Sequence, residues 1–562
     1  MEKLYTREGE QLPGIPWEDY PRPQLRREDW LCLNGTWAFR VTGKKGSGSE
    51  ESILVPFCPE SLLSGVKNPP VPGDRMEYRR SFLLPDGWEE KRILLHFGAV
   101  GRDCTVWVNG QEAGRHDNGC LAFTLDITEA VRQGENELLV SAVNDLDSAY
   151  PWGKQTKKRG GMWYTPCSGI WQTVWLEPVP EDYVRRVHIR NGRDWAEIEA
   201  DGVREGSVLF QGRKIPLEEG RARIEIPEPR LWSPEDPYLY EFELRAGEDR
   251  VGSYFALRTL TVERVGGVQR LCLHGAPYFF HGLLDQGYWS DGLYTPASPN
   301  AYEQDILAMK ALGFNTLRKH IKVEPERFYY DCDRLGMVVF QDMVNNGVYH
   351  YITETVLPTI GWVWSDDRLT HRNRKTRQEF LRAMEGTVAQ LRNHPCICYW
   401  TIFNEGWGQF CSDEAYERLR KLDDSRFIDS TSGWFRQKKS DVESLHIYFH
   451  KLKLGKQDRP QVLSEFGGYV WKVPGHSFNP DETYGYKKFE DRESMVKALQ
   501  SVYRDTLAPL ARQGLCAAIY TQVSDVEDET NGLLSFDRKV CKLRPEELRE
   551  IGELLQQAVK WE

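Results

Sequence analysis

The sequence contains no run of roughly 18 uninterrupted apolar residues, so it predicts no membrane-spanning helix. Residues 1–20 lack the apolar core that a secretory signal requires. The twelve cysteines are scattered and form no pair of Cys-x-x-Cys motifs, which is the spacing of many zinc sites. From these absences we expect a cytoplasmic protein, since a reducing compartment fits unpaired cysteines, with no metal and no cofactor.

A basic surface is also missing. The formal net charge is −11, and binding to nucleic acid needs a basic face, so we expect no nucleic-acid partner. The residues that are abundant are aromatic: the chain has 19 Trp and 25 Tyr. Most of these rings are expected to fill cores, but flat rings also stack on the C–H faces of sugars. A carbohydrate is therefore the partner that the composition favours.

The period of the apolar residues divides the chain into three regions. Residues 1–180 alternate apolar and polar positions between turn signals, which predicts a jelly-roll β-sandwich like a sugar-binding domain. Within it, Asn109–Gly110 is typical of a tight hairpin. Residues 181–263 continue as strands, and about 80 residues suit a small immunoglobulin-like sandwich. We expect the first sandwich mainly to brace the third region.

Residues 264–562 change to strands that alternate with amphipathic helices. The helical period appears in NAYEQDILAMKALGF, PERFYYDCDRLGM, RKTRQEFLRAMEGTVAQLRNH and DEAYERLRKLDDS. The short apolar strands are YFFHGLLD, TLRKH, MVVFQD, ICYWTIFN, RFIDST, SLHIY, QVLSEF and AAIYTQ. Eight such strands in one region predict a C-terminal (β/α)8 TIM barrel that carries the catalytic site.

Polar and aromatic residues follow the predicted barrel strands. In a (β/α)8 barrel these positions point into the mouth where active sites lie. In strand order they are Asp285; Arg318, Lys319 and His320; Gln341 and Asp342; Asn404 and Glu405; Thr431 with nearby Trp434; His446 and Tyr448; Glu465; and Gln522. A mouth built only for stability does not need two glutamates.

Glu405 follows the fourth strand and Glu465 the seventh, across the mouth from each other, so their carboxyl groups can converge on one bond. Two carboxyls about 5–5.5 Å apart cleave a glycosidic bond with retention of configuration. One attacks the anomeric carbon, and the other protonates the departing oxygen and then deprotonates a water. The competing interpretation is that one or both glutamates form structural ion pairs.

Several motifs carry a resemblance to a known family. In the first region they are LNGTWAF, VPFCPES, VWVNGQEAG and YTPCSGIWQTVWLE, and in the barrel they are GFNTLRKH, RNHPCICYWTIFNEG and VLSEFGG. With the order of the three domains, these motifs resemble glycoside hydrolase family 2, which contains β-galactosidases, β-glucuronidases and β-mannosidases. The resemblance implies a retaining exo-β-glycosidase, and at the level of the family a homo-oligomer.

The resemblance also implies roles for single residues. Phe403–Asn404–Glu405–Gly406 matches the family's acid/base motif, and Ser464–Glu465–Phe466–Gly467 matches its nucleophile motif. Glu405 thus resembles the general acid/base and Glu465 the nucleophile. Asn404 resembles the residue that binds the sugar 2-hydroxyl, Tyr448 the tyrosine that holds the nucleophile, and Arg318 the arginine that stabilises its charge.

Other side chains at the strand ends are expected to bind substrate, and each of them also has a structural interpretation. Arg318 can pair with a core carboxylate, and His446 can be a core histidine with satisfied hydrogen bonds. Trp434 can pack rather than stack on a sugar, and Asp342 can orient a neighbouring donor. His320, Lys319 and Gln522 complete the predicted substrate-binding set.

The sequence departs from the family after the second strand, where it reads Leu317–Arg318–Lys319–His320–Ile321–Lys322. Lys319 and Lys322 add positive charge to the catalytic side of an acidic protein, which favours a substrate carboxylate. The Asn-x-Lys pair by which β-glucuronidases of the family hold the uronate does not follow Glu465. The sequence therefore predicts a β-galacturonide or related β-hexuronide as substrate, with a neutral β-galactoside as the alternative.

The eighth strand leads to a second departure, because Gln522 stands where many members of the family have tryptophan. The acidic segment that follows, residues 525–529, lacks the spacing of a calcium loop and is expected to be a solvated connection. A hypothesis from another class is a non-catalytic carbohydrate-binding protein on an inactive barrel. Both glutamates are present, which argues against it.

Overall fold

The computed structural model describes residues 3–43, 46–359, 362–364, 366–448, 452–455 and 458–560. The N-terminal part of the chain consists of strands. They are β1 Leu31–Cys32, β2 Gly35–Gly43, β3 Gly46–Ser47, β4 Glu51–Val55, β5 Arg75–Leu83, β6 Arg92–Phe97, β7 Val100–Gly101, β8 Asp103–Val108, β9 Gln111–His116, β10 Phe123–Asp126, β11 Glu135–Val143, β12 Gly169–Ile170 and β13 Val174–Val179.

Two antiparallel sheets make up this N-terminal sandwich. One has the order β1-β13-β6-β10, and the other has the order β3-β2-β5-β11-β8-β9 with β4 paired to β2. Alternate residues of the facing strands, such as Trp37, Tyr78 and Leu138, are buried between the sheets. Asn109 and Gly110 both have positive φ, +50° and +81°, and turn β8 into β9, which confirms the predicted hairpin.

A second, smaller sandwich follows. Its strands are β14 Arg186–Asn191, β15 Trp195–Asp201, β16 Gly206–Phe210, β17 Arg213–Leu217, β18 Arg221–Glu225, β19 Tyr240–Ala246 and β20 Asp249–Phe255. They form sheets with the orders β14-β15-β18 and β17-β16-β19-β20. Buried Arg27 joins the two sandwiches, because its guanidinium binds Glu177 at 2.9 Å and Asp249 at 2.8 Å.

The last part of the chain begins with a small antiparallel sheet and continues as the barrel. Its strands are β21 Leu260–Val265, β22 Val268–Leu273, β23 Ala276–Pro277, β24 Phe280–Asp285, β25 Thr316–Lys319, β26 Val338–Asp342, β27 Ile397–Asn404, β28 Phe427–Ser432, β29 Glu443–Ile447, β30 Gln461–Gly467, β31 Tyr469–Val470, β32 Lys487–Lys488 and β33 Leu515–Thr521. Its α-helices are α1 Asn300–Ala311, α2 Glu326–Leu335, α3 Leu357–Thr359, α4 Arg374–Leu391, α5 Ser412–Leu422, α6 Arg492–Ser501, α7 Ala508–Arg512 and α8 Pro545–Val559, with π-helical turns at Ile352–Val356 and Val502–Leu507.

The barrel sheet is parallel and has the order β28-β27-β26-β25-β24-β33-β30-β29. These are the strands that the sequence predicts, which confirms the (β/α)8 architecture. The sheet is almost closed, since the Ser432 hydroxyl of β28 lies 3.3 Å from the Ser444 hydroxyl of β29. Aromatic side chains fill the interior, where the rings of Phe340 and Tyr399 stack 4.2 Å apart. No helix in the described ranges is long and apolar enough to cross a bilayer.

Candidate active site

Glu405 leaves the end of β27 in an unusual backbone conformation. Its φ is +53°, in the left-handed region that residues other than glycine rarely occupy. The next residue, Gly406, has φ +79°, and a Cβ there would lie 2.5 Å from the Phe435 ring. The strand therefore ends in a turn that needs glycine after Glu405 and that directs the glutamate into the mouth.

Glu465 reaches the same place from the middle of β30. One carboxylate oxygen of Glu405, one of Glu465 and a ring nitrogen of His446 lie within 4.8 Å of one another. This separation corresponds to the pair of about 5–5.5 Å that attacks an anomeric carbon directly. Oxygens this close favour direct attack over the spacing of about 6.5–9.5 Å between carboxyl groups that leaves room for an intervening water.

Arg318, at the end of β25, holds three neighbours of the site together. Its Nη1 lies 3.0 Å from Oε1 of Glu465, its Nε lies 3.0 Å from Oδ1 of Asp342, and its Nη2 donates to Oδ1 of Asn404 at 2.8 Å. The Arg318 side chain is 1% exposed. This fork orients the Asn404 amide and places a fixed positive charge against one oxygen of Glu465.

Tyr448 binds the other oxygen of Glu465, with its hydroxyl 2.6 Å from Oε2. Burial and the charge of Glu465 raise the pKa of Tyr448, so the phenol remains a hydrogen-bond donor. Burial alone would raise the pKa of Glu465, but electrostatic interactions with His446, Arg318 and His320 and the Tyr448 hydrogen bond lower it to about 2. Glu465 is therefore a carboxylate at neutral pH, as a nucleophile requires.

His446 lies between the two glutamates. Its Nδ1 is 2.7 Å from Oε1 of Glu405, and its Nε2 is 3.0 Å from the Ser432 hydroxyl and 3.7 Å from Oε1 of Glu465. The imidazole is fully buried. The imidazole therefore hydrogen-bonds Glu405 directly and lies beside Glu465 without a hydrogen bond to it.

His320 and Asp342 form a second layer behind Arg318. The His320 Nδ1 lies 2.7 Å from Oδ2 of Asp342, and both side chains are buried. Burial alone would raise the pKa of Asp342, but Arg318 and His320 hold it below its ordinary value. Asp342 thus remains charged and orients its two donors, which is the structural interpretation that the sequence allowed.

The lysines after β25 are engaged inside the protein. The Lys319 ammonium lies 2.6 Å from Asp285 and 2.8 Å from Glu324, and the Lys322 ammonium lies 2.8 Å from the other oxygen of Glu324. Both side chains are almost fully buried. Their charges neutralise these two carboxylates, so a preference for an anionic substrate cannot rest on them.

Gln522 and the acidic segment after β33 are also buried. The Gln522 amide donates to Oδ1 of Asn531 at 2.9 Å. The expectation of a solvated segment at residues 525–529 is wrong, because its four carboxylate residues are between 0% and 7% exposed. Asp525 binds the buried ammonium of Lys542 at 2.7 Å, and Glu529 accepts from the hydroxyl of Tyr164. The segment ties the barrel to the N-terminal sandwich.

A cavity of about 330 Å³ opens beside Glu405. Its lining is mostly aromatic and apolar and consists of Met162, Tyr351, Thr355, Val356, Pro358, Glu405, Trp434, His446, Ile447, Tyr448, Tyr484 and Tyr486. The predicted Trp434 lies in this wall, whereas Tyr484 and Tyr486 are residues that the sequence analysis missed. Tyr486 stacks on Tyr448 with the ring centres 3.7 Å apart. The closely spaced tyrosines in TYGYKKF are the sequence signal for them.

A loop of the N-terminal sandwich between β11 and β12 completes the wall. Its Trp152 and Trp163 stack on each other, and both rings meet the edge of Trp407, two residues after Glu405. The backbone N–H groups of Trp152 and Gly153 donate to the carbonyl of Asn345. Reasoning from barrel strand ends cannot find these residues, because they belong to another domain. The aromatic and basic segment PWGKQTKKRGGMWYTP is the signal that marks them.

Glu405, His446 and Glu465 are also close enough to act as ligands of one metal ion. However, Nη1 of Arg318 lies 3.0 Å from Glu465 and 3.4 Å from Nε2 of His446. A guanidinium in that position already compensates the negative charge and repels a second cation. The arrangement suits acid–base and nucleophilic chemistry better than metal binding.

Three segments of the chain match models of protein families. Residues 296–489 match "Glycosyl hydrolases family 2, TIM barrel domain", residues 64–180 match "Glycosyl hydrolases family 2, sugar binding domain", and residues 186–258 match "Glycosyl hydrolases family 2". The matches follow the order of the domains and together span most of the chain.

Curated relatives are similar over much of the sequence. The chain is 26% identical over 439 residues to a β-galactosidase of Thermoanaerobacter pseudethanolicus, an alignment that covers 71% of this chain and 54% of that protein. It is 26% identical over 448 residues to the β-glucuronidase of Felis catus, with coverage of 69% and 65%. The chain thus spans about half the length of the first of these relatives.

Solved structures share the fold over nearly the full length. A β-D-glucuronidase from Dictyoglomus thermophilum superposes with a TM-score of 0.73 at 18% identity and covers 95% of this chain and 98% of its own. A β-galacturonidase from Eisenbergiella tayi bound to galacturonate gives a TM-score of 0.71 at 20% identity, with coverage of 95% and 99%. At these identities the likeness concerns the fold.

Proposed function

The chain belongs to glycoside hydrolase family 2, and we propose that it is a retaining exo-β-glycosidase in which Glu465 is the nucleophile and Glu405 the general acid/base. The observation that carries the proposal is the approach of the two carboxyl groups, whose nearest oxygens lie within 4.8 Å of each other and of a His446 nitrogen. That separation supports direct attack by a carboxylate, and hence double displacement.

In the first half of the reaction, a Glu465 oxygen bonds to the anomeric carbon while the glycosidic C–O bond breaks. The electron pair of that bond goes to the departing oxygen, which takes a proton from Glu405. The low pKa of Glu465 keeps its electrons available, and Arg318 and Tyr448 hold its two oxygens in position. The products of this half are the free aglycone and a sugar ester of Glu465.

In the second half, Glu405 accepts a proton from a water that attacks the same carbon. The ester bond breaks, Glu465 leaves as a carboxylate, and the sugar departs with its original configuration. His446 supports the change of role, because its Nδ1 is 2.7 Å from Glu405 and it connects that residue to the Ser432 hydroxyl. Asn404, whose amide is oriented by Arg318, is the proposed partner of the sugar 2-hydroxyl.

The shape of the site supports exo action. The cavity of about 330 Å³ is bounded by the π-helical turn at Ile352–Val356 and by Met162 from the N-terminal sandwich. This volume is at the low end of the range of about 300–1,000 Å³ typical of small-ligand sites. It suits one terminal sugar with its aglycone rather than the interior of a polysaccharide.

For the sugar itself, we propose a β-hexuronide, with a β-galacturonide as the first candidate and a neutral β-galactoside as the alternative. Lys319 and Lys322 are occupied by Asp285 and Glu324, so the cation that would bind the uronate must come from elsewhere. A non-catalytic sugar-binding role is disfavoured, because both carboxylates and the groups that tune them are in place.

We further propose that the enzyme works in the cytoplasm. All twelve cysteines lie in the described part of the chain and are free thiols, and nine of them are buried. Free thiols in this number suit a reducing compartment.

The test of the proposed function is hydrolysis of nitrophenyl β-D-glycosides of galactose, galacturonate, glucuronate and mannose and of nitrophenyl α-L-arabinopyranoside. Proton NMR of the first sugar released from the β-D-glycosides should show the β-anomer before mutarotation. Glu465→Gln should remove turnover on every active substrate, and its circular dichroism should match that of the wild type. Release of the α-anomer would contradict the retaining mechanism, and silence of the wild type on the whole panel would contradict the enzymatic function.

A further inference from the structure

Four lysines are buried among the residues that the structure describes, and three of them are ion-paired. The three pairs are Lys319 with Asp285 at 2.6 Å, Lys322 with Glu324 at 2.8 Å and Lys542 with Asp525 at 2.7 Å. The fourth is Lys154, in the loop that the N-terminal sandwich sends to the barrel mouth. It is 8% exposed, and within the described ranges no carboxylate oxygen lies within 4.0 Å of its ammonium.

The contact that the Lys154 ammonium makes is with an aromatic face. Its Nζ lies 5.5 Å from the centre of the Trp163 ring, which leans on Trp407 beside the catalytic Glu405. A cation–π contact at this distance offsets part of the cost of burying a charge but does not neutralise it. A buried ammonium with no carboxylate oxygen within 4.0 Å in the described ranges is a position where an anionic ligand can supply a direct counter-ion.

The backbone holds Lys154 in this position. The preceding residue, Gly153, has φ +64°, and a Cβ there would lie 3.0 Å from the carbonyl oxygen of Ile321, next to His320. Glycine is therefore needed for the loop to approach the end of β25 so closely. On the other side, the carbonyl of Lys154 accepts from the N–H of Tyr164 at 3.0 Å. These contacts fix the backbone of Lys154 between Tyr164 of its own loop and the segment that follows β25.

The neighbours of Lys154 place it on the side of the nucleophile. Burial lowers the pKa of His320, and the charge of Lys154 lowers it further. Burial raises the pKa of Glu529, while hydrogen bonds from Tyr164 and Asn531 and the charge of Lys154 act in the opposite direction. The charge of Glu465 acts on both His320 and Glu529. Lys154 is thus close to the residues that surround Glu465, which attacks the sugar ring.

We propose that Lys154 binds the carboxylate of a β-D-hexuronide whose anomeric carbon lies at Glu465. The inference rests on the proposed glycosidase function and specifies its substrate. The sugar hydroxyls of a neutral substrate can accept hydrogen bonds from Lys154 but leave its charge uncompensated. The uronate group supplies both the hydrogen-bond acceptor and the counter-charge. The N-terminal sandwich would then select the substrate as well as brace the barrel.

The experiment compares Lys154→Met with the wild type on paired substrates. The uronide pair is nitrophenyl β-D-galacturonide and β-D-glucuronide, and the neutral pair is nitrophenyl β-D-galactoside and α-L-arabinopyranoside, which lacks the sixth carbon. We expect kcat/KM on the better uronide to fall by about 100-fold, the size of a lost charge-assisted contact, while the neutral substrates change less than about threefold. Lys157 is an exposed lysine of the same loop, and Lys157→Gln should leave kcat/KM on both substrate pairs unchanged.

A second measurement does not depend on turnover. D-galacturonate or D-glucuronate should raise the Tm of wild-type protein, and Lys154→Met should remove that shift without lowering the Tm of the free protein. Lys154→Arg keeps the charge and should retain part of the shift. The Tm measurement tests binding separately from catalysis. A wild type that hydrolyses none of the glycosides contradicts the glycosidase function whether or not the sugar acid binds.

Two outcomes would overturn the inference while leaving the glycosidase function intact. One is an equal loss on uronides and neutral substrates in Lys154→Met, which would assign Lys154 to packing or to a shared hydroxyl. The other is a wild type that cleaves the neutral galactoside and neither uronide. Loss on the uronides alone, with no Tm shift from the sugar acids in Lys154→Met, is the result that the structure leads us to expect.

Discussion

Nδ1 of His446 lies 2.7 Å from Oε1 of Glu405, and the imidazole is completely enclosed by protein. The same ring approaches Glu465 through its other nitrogen. The residue proposed to give and take the proton is therefore connected through one side chain to the residue proposed to attack.

Replacement of Glu405 should affect substrates according to how much help their leaving group needs. We expect Glu405→Gln to lower kcat/KM for a phenyl glycoside by about 10²–10⁴, the range for loss of a general acid, and much less for a dinitrophenyl glycoside, whose leaving group departs without a proton. Glu405→Ala should recover turnover of the dinitrophenyl substrate in sodium azide and release the β-glycosyl azide. Equal losses on both substrates would reject Glu405 as the acid.

Loss of the Tyr448 hydroxyl should raise the pKa of Glu465, because that hydroxyl donates to the carboxylate at 2.6 Å. The folded pKa of about 2 lies below the ordinary value of 4.5, so ionised Glu465 contributes stability above pH 4.5 that is lost as the pH falls towards 2. In Tyr448→Phe this loss should be smaller and complete at a higher pH, since the folded pKa lies closer to the unfolded one, and kcat should fall about tenfold or more. Urea unfolding between pH 3 and 7 measures the change in stability, and kcat and kcat/KM against pH measure the change in activity.

The matched control for that substitution is Tyr503→Phe. Tyr503 is also fully buried, but its hydroxyl has no hydrogen-bond partner among the described residues. Tyr503→Phe should leave the pH dependence of stability and of kcat/KM unchanged. Identical profiles for wild type and Tyr448→Phe would contradict the role of the phenol in holding the nucleophile.

Asn404 should contribute to catalysis only when the sugar has a 2-hydroxyl. Arg318 fixes the amide by donating to its oxygen at 2.8 Å, so the amide is oriented before substrate binds. We expect Asn404→Ala to lower kcat/KM by about 10²-fold or more on a glycoside that carries the 2-hydroxyl, since contacts to this hydroxyl strengthen in the transition state. On the 2-deoxy glycoside, the wild type and Asn404→Ala should have the same kcat/KM. A similar loss on both sugars would show that the substitution disturbs Arg318 instead.

The buried lysines should differ in what they contribute to folding. Lys319→Met leaves the carboxylates of Asp285 and Glu324 without that partner, and we expect the free energy of unfolding to fall by about 3–5 kcal/mol. Lys154→Met removes a buried charge that has no carboxylate partner in the described structure, so stability should stay equal or rise. Urea titration of both variants measures the difference, and equal destabilisation would contradict this division of roles.

Much of the barrel could be predicted from the sequence because its signals are local. Apolar runs such as ICYWTIFN and QVLSEF have the length of a buried parallel strand, and Glu405 and Glu465 lie at or near their ends. Strand order and the direction of the strand ends follow from the connections of the fold. The convergence of Glu405 and Glu465 was therefore predictable, and the distance between them was not.

The charges were less predictable. Lys319 and Lys322 look like a basic cluster in sequence, yet each lies against a carboxylate that only the folded chain brings near. The acidic residues at 525–529 look like a solvated loop, yet they pack against Tyr164 and Thr165 of the first sandwich. Whether a charge is free or paired depends on contacts between distant segments, and these leave no local period.

The sequence by itself determined the barrel strands, four of the helices and the two glutamates, because each of these is encoded in a short window by hydrophobic period and by the residue at a strand end. Only the tertiary structure decided that Lys319, Lys322 and Lys542 are ion-paired, whereas Lys154 has no carboxylate oxygen within 4.0 Å in the described ranges. That distinction depends on Gly153, which lets a loop of another domain approach the end of β25 and so brings Lys154 into a mouth built from the barrel.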